Sequence, residues 1–164
     1  MELQRILVPL DGSTLSETAL PLALDLLADS PTATLQLLRA AEAPVRLGTD
    51  PTEAQVRAVR EAEDYLRAVA ARLTGFGVKG VKTSVWYGPA AAAIVEAAQV
   101  GKIDIIVMGT HGRSGLGRLV LGSVAEAVLR ATRTPILFVR DGAAPVETLE
   151  SRGVPATARE ANRV

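Results

Sequence analysis

Apolar positions along the chain follow two periods, and segments of each kind alternate. Residues 5–10 (RILVPL), 34–40 (TLQLLRA), 103–108 (IDIIVM) and 136–140 (ILFVR) are short apolar runs with the length and composition of buried parallel strands. Pro9 falls at the end of the first run, where a missing ladder N–H is tolerated. A further run, 81–87 (VKTSVWY), alternates apolar and polar residues, as a partly exposed strand does. Between the runs the period becomes helical. Residues 14–28 place Leu20, Leu24 and Leu27 on one face, with Pro21 inside the pattern, which predicts a kink or a tightened turn there. Asp50-Pro51-Thr52-Glu53 is a helix start, with an acidic cap, Pro first and Glu third. That helix is expected to run to about residue 73, burying Val56, Val59, Leu66, Val69 and Leu73, and to stop at Gly75 and Gly77. Gly88-Pro89 opens an alanine-rich helix, 90–100, closed by Gly101. The last helix covers residues 124–131, and Ser123-Val124-Ala125-Glu126 before it has capping-box spacing.

Strand and helix thus alternate five times. Right-handed crossovers then give a single-domain α/β fold, an open parallel five-stranded sheet with helices on both faces. Periodicity leaves the strand order open. Residues 141–164 break the pattern: they are polar, carry both charges and are interrupted by Gly142, Pro145, Gly153 and Pro155. The expected organisation is a domain over 1–140 and a weakly ordered tail over 141–164, with a short helix near 146–151.

Composition narrows the function. The 164 residues include 18 basic and 18 acidic side chains, and the zero net charge argues against a general nucleic-acid binder. There is no cysteine and a single histidine, His111, so thiol chemistry, disulfides and a His-cluster metal site are excluded. Aromatics are 3%, so the core must be aliphatic. No apolar run reaches the roughly 18 residues of a membrane span. The N-terminus has no signal-peptide layout. The expected location is therefore cytoplasmic, away from membranes.

The candidate chemistry lies in residues 108–123, MGTHGRSGLGRLVLGS, between a strand end and a helix start. Gly109, Gly112, Gly115, Gly117 and Gly122 let backbone approach a ligand closely, and the first helical N–H groups are donors without helical partners. That combination suits phosphate. The loop is not a Walker A motif, since no Lys follows its helix-opening glycine, and it is not a dinucleotide G-x-G-x-x-G fingerprint. A plain strand-to-helix connection capped by Ser123 is the other reading, and the glycine density favours phosphate. Arg113 and Arg118 could neutralise phosphate or face solvent. His111 lacks a neighbouring carboxylate or nucleophile, so a structural hydrogen bond suits it better than general-base work. Asp11 follows the first strand, at the sheet edge where open α/β folds bind ligands. It also fits an Asx turn or a helix cap, and the two roles are compatible.

Gly109, two residues, Gly112, nine residues, then Gly122-Ser123 resembles the nucleotide-binding signature of the universal stress protein family, and Pro9 to Ser13 (PLDGS) resembles its first-loop motif. The likeness extends from about Ile6 to Arg140. It implies strand order 3-2-1-4-5, with a ligand crevice between strands 1 and 4 that brings Asp11 opposite Gly109. It implies ATP with Mg²⁺: phosphates on Gly112, Gly122, Ser123 and Val124, the ribose at Asp11 and adenine on the backbone of Ala40. The candidate contacts are Pro9, Asp11, Ala40, Met108, Gly109, Gly112, Arg113, Gly122, Ser123 and Val124. It also implies a homodimer through residues 136–140, with Ile136, Phe138 and Arg140 at a two-fold contact. The apolar final strand, charged only at Arg140, is itself an edge that invites pairing. The expected function is an ATP-binding sensor or regulatory protein of the stress response. A slow Mg-dependent ATPase or autokinase using Asp11, and a dimeric scaffold without nucleotide, are the alternatives. No P-loop lysine or paired-carboxylate metal site is visible, so any hydrolysis or autophosphorylation is expected to be weak.

Overall fold

A computed structural model of the chain describes residues 3–43, 48, 50–110 and 121–140. The Gly112, Arg113, His111 and Arg118 candidates and the 141–164 tail lie outside the described residues. Five strands, β1 (Arg5–Pro9), β2 (Thr34–Ala41), β3 (Val81–Tyr87), β4 (Ile105–Gly109) and β5 (Ile136–Val139), form one sheet in the order β3-β2-β1-β4-β5. Every pairing is parallel, so β1 sits centrally between β2 and β4. Period-two alternation sorts the core. Ile6, Val8, Leu35, Leu37 and Val107 face α2 (Leu20–Ala28) and α3 (Pro51–Gly75). Leu7, Leu38, Ile106 and Met108 face α4 (Ala90–Val100) and α5 (Ser123–Ala131). The sheet is therefore covered on both faces, as near-continuous apolar strands require.

Several element ends differ from the sequence expectation by a residue or two, and some of the differences have a local reason. The 14–28 pattern is two helices, α1 (Thr14–Glu17) and α2, because Pro21 has no N–H to give to the Glu17 carbonyl and instead sits in the first turn of α2. β4 begins at Ile105 rather than residue 103. The Ile103 N–H bonds the Ala98 carbonyl at 2.9 Å to close α4, and the Asp104 N–H bonds Arg5 at 3.0 Å. The capping box at the last helix does not form. Gly122 is the N-cap, Ser123 is the first helical residue, and Glu126 pairs with Arg130 at 2.6 Å. Arg140 lies just beyond the end of β5.

α3 deviates by length. Its 25 residues rise about 37 Å, against roughly 23 Å for the seven-residue β3. Only its C-terminal half reaches the core, through Ala62, Leu66, Val69 and Leu73. The expected stripe therefore fails at its start, where Val56 is 45% exposed. The N-terminal turns project past the C-terminal edge of the sheet. Among the described residues, no helix is long and apolar enough to cross a membrane.

Candidate functional site

The carboxyl ends of β1, β2 and β4 border a cleft of about 800 Å³. Two turns frame it. After β1, the chain reverses through Asp11-Gly12-Ser13. The Asp11 carboxylate accepts from the Ser13 N–H at 2.8 Å and the Ser13 hydroxyl at 2.5 Å, which is an Asx turn. Gly12 has φ +88, a conformation that favours glycine. Ser13 then caps α1 by accepting from the Ser16 N–H at 3.1 Å, and the buried Ser16 hydroxyl donates to the Ser13 carbonyl at 2.8 Å. The Asp11 N–H donates to that same hydroxyl at 3.2 Å.

The other turn follows β4. The Thr110 N–H bonds the Val139 carbonyl at 2.9 Å, and the Gly122 N–H bonds the Thr110 carbonyl at 2.7 Å. This second bond closes the base of the excursion between residues 110 and 122. It also takes the Gly122 amide out of the expected phosphate set. α5 begins at Ser123 with no side-chain cap, and its first helical bond runs from Glu126 to the Gly122 carbonyl at 2.9 Å. The Ser123, Val124 and Ala125 N–H groups therefore have no acceptor inside the helix. All three residues line the cleft. Gly122 has φ −61 and ψ 151, so its backbone does not itself demand glycine.

Of the candidate contacts, Pro9, Asp11, Ala40, Met108, Gly109, Gly122, Ser123 and Val124 all line this one cleft. α3 overhangs it with Ala58 and Glu61, and Glu42 adds a further carboxylate. Among the described lining residues Arg39 is the only cation. Its guanidinium lies within 3.3 Å of where a Cβ on Gly12 would stand, and its Cζ is 4.9 Å from the centre of the Tyr65 ring. The Tyr65 hydroxyl donates to Glu17 at 2.8 Å, and Arg72 pairs with the other oxygen of that carboxylate. Burial and the adjacent Glu17 push the Tyr65 phenol well above its usual range, so it remains a donor. Among the described residues no group of three His, Cys, Asp or Glu side chains could hold a metal ion.

Residues 2–140 match the sequence model of the universal stress protein family. The chain belongs to the universal stress protein family. A universal stress protein of Methanocaldococcus jannaschii is 42% identical over 80 residues, covering 49% of this chain and 46% of that relative. A second from the same organism, MJ0577, is 33% identical over 88 residues and 54% of each chain. The chain thus spans about half the length of these first curated relatives. The solved structure of MJ0577 superposes with a TM-score of 0.73 at 26% identity, over 88% of this chain and all of that one. A universal stress protein solved in complex with cAMP superposes with a TM-score of 0.65 at 26% identity, over 85% of this chain and 98% of that one.

Against this universal stress protein frame, the residues that sequence reasoning missed are Arg39, Tyr65, Ser16, Thr110 and Glu61. Arg39 had a signal, as the one charged side chain in the apolar β2 run. Tyr65 stands beside the buried Leu66 on α3, and nothing in its spacing announced the Arg39 contact.

Proposed function

We propose that this universal stress protein is an ATP-binding sensor or regulatory protein of the stress response. The observation that carries the reading is the uncapped N-terminus of α5, whose first amides open onto the cleft at the carboxyl edge of β1 and β4. Amides without helical partners and the positive end of the helix dipole suit phosphate oxygens. Charge-assisted bonds contribute about 1.5–3 kcal/mol each, so a few support micromolar affinity, which corresponds to about 8 kcal/mol. The Ser123 hydroxyl adds a donor beside them. The ribose then lies toward Asp11, and adenine against the backbone of Ala40. The cAMP complex of a structural neighbour supports an adenine nucleotide as the ligand class. Mg²⁺ would enter with the phosphates, held by their oxygens and by water. In this reading Gly112 and Arg113 complete the phosphate contacts.

Isothermal titration of the purified chain with ATP, together with mass spectrometry of small molecules released on denaturation, tests the proposal. Micromolar ATP binding or co-purified adenine nucleotide is expected; the absence of both overturns the reading. A homodimer through Ile136, Phe138 and Arg140 belongs to the same proposal, since β5 is an outer strand of the sheet with Ile136 and Phe138 only half-buried. A monomeric mass by light scattering at micromolar concentration overturns that part.

A further inference from the structure

Phosphate binding at α5 would leave the one cation among the described lining residues of the cleft without a task. Arg39 lines the cavity from β2, on the far side of β1 from α5. Its Cζ, Nη1 and Nη2 atoms are each 3.3 Å from the Cβ position of Gly12, so the guanidinium presents a face to that turn. It also lies against the Tyr65 ring, with Cζ 4.9 Å from the centroid. A contact made by a face leaves the edge, along which guanidinium N–H groups donate. Asp11, Glu42 and Glu61 line the same cavity, yet among the described residues Arg39 forms no ion pair with any of them. Glu17, the acid that fixes Tyr65, is itself paired with Arg72. Arg39 is thus a pre-positioned cation, held in place by a ring and a glycine, with no carboxylate neutralising it among the described residues. A planar fork of donors of this kind matches the oxygens of a phosphate.

Its position defines the ligand. β2 and β4 flank β1, so the strand ends at Arg39 and Gly109 are on the order of 10 Å apart, and Arg39, beside Tyr65, reaches the cleft from the α3 face while α5 reaches it from the other. The Asp11 turn lies between them. We propose that Arg39 is a second anion subsite, and that the cleft takes adenine nucleotides bearing a phosphate on the ribose 2′ or 3′ oxygen in addition to the 5′ phosphate. The inference rests on the nucleotide reading above: with the 5′ phosphate at α5 and the ribose at Asp11, a ribose phosphate turned toward β2 meets the guanidinium edge. Gly12 contributes by lacking a side chain, which leaves the guanidinium its seat.

Titration calorimetry with AMP, adenosine 3′,5′-bisphosphate and adenosine 2′,5′-bisphosphate, on the full chain and on Arg39→Met, tests this. One bisphosphate is expected to bind the wild type at least tenfold more tightly than AMP, and its identity tells which ribose oxygen carries the phosphate. Arg39→Met is expected to abolish that gain while leaving the AMP affinity within threefold. Arg39→Lys, which keeps the charge but not the fork, should retain only part of it. If AMP binds and neither bisphosphate gains, the subsite is overturned alone. An equal loss of all three ligands in Arg39→Met also overturns it, leaving Arg39 as a support for the Gly12 turn. If none of the three binds the wild type, the subsite falls together with the nucleotide reading.

Discussion

The two turns that frame the cleft solve the same local problem in opposite ways. Each leads from the carboxyl end of a strand into a helix. After β1, Asp11 accepts from the Ser13 N–H and Ser13 from the Ser16 N–H, so the chain's own side chains take up part of the start of α1. After β4, Gly122 supplies none, and among the described residues no side chain caps the start of α5. In the proposed reading, the helix without a side-chain cap is the one that receives the anion.

Substitutions that exchange these roles break the comparison. The largest effect is expected from Gly122→Asp, which gives α5 an acidic cap in competition with phosphate. ATP affinity should fall about 10- to 100-fold, or ~1.4–2.8 kcal/mol, while the melting temperature holds or rises, since an Asp cap exceeds Gly by only a few tenths of a kcal/mol. Unchanged affinity by calorimetry would falsify the α5 site. Next is Gly12→Val. At φ +88 a β-branched residue is strained, and its side chain would press on Arg39; urea titration should register a loss of about 2 kcal/mol. Gly122→Val, at φ −61, should cost well under half of that. Equal losses at the two glycines would erase the conformational difference between the turns. Ser13→Ala should lower stability by about 1 kcal/mol through loss of the α1 cap, with ATP affinity within threefold of wild type. The smallest effect belongs to Ser123→Ala: stability within about 0.5 kcal/mol, as for an exposed surface position, but an ATP affinity reduced about threefold. A stability loss there as large as at Ser13 would mean that Ser123 is a cap after all.

The legible part of this architecture is the part written in periods. β2 and β3 begin where their runs begin, and the Asp50 cap forms as its spacing demands, accepting from the Thr52 N–H at 2.8 Å. The sheet order came from family likeness, because alternation records which face a residue occupies and not which neighbour its strand chooses. The errors fall where one residue had two possible employers. Ile103 reads as strand but closes α4, and Glu126 reads as half of a capping box but reaches forward to Arg130. Val56 fits the helical stripe of α3, but periodicity cannot tell that the helix outruns its sheet. At the site, Gly109, Gly122 and Asp11, singled out by glycine spacing and the first-loop motif, line one cleft. Arg39 stands out in sequence as the one charge of the β2 run, but its meeting with Gly12 and Tyr65 does not, because a long side chain acts several ångströms from its own position and only the fold brings them together.

The bond from the Gly122 amide to the Thr110 carbonyl has a consequence for how such proteins diversify. It fastens both feet of the intervening segment to the sheet, so the aim of the α5 amides is set before that segment begins. Ten sequence positions, 111–120, lie between those anchors, and Leu121 packs against the core beside α5. Grafting another sequence at those positions should retune which ligand is retained without re-aiming the helix, and the loop-closure cost of a longer insert grows only slowly with length.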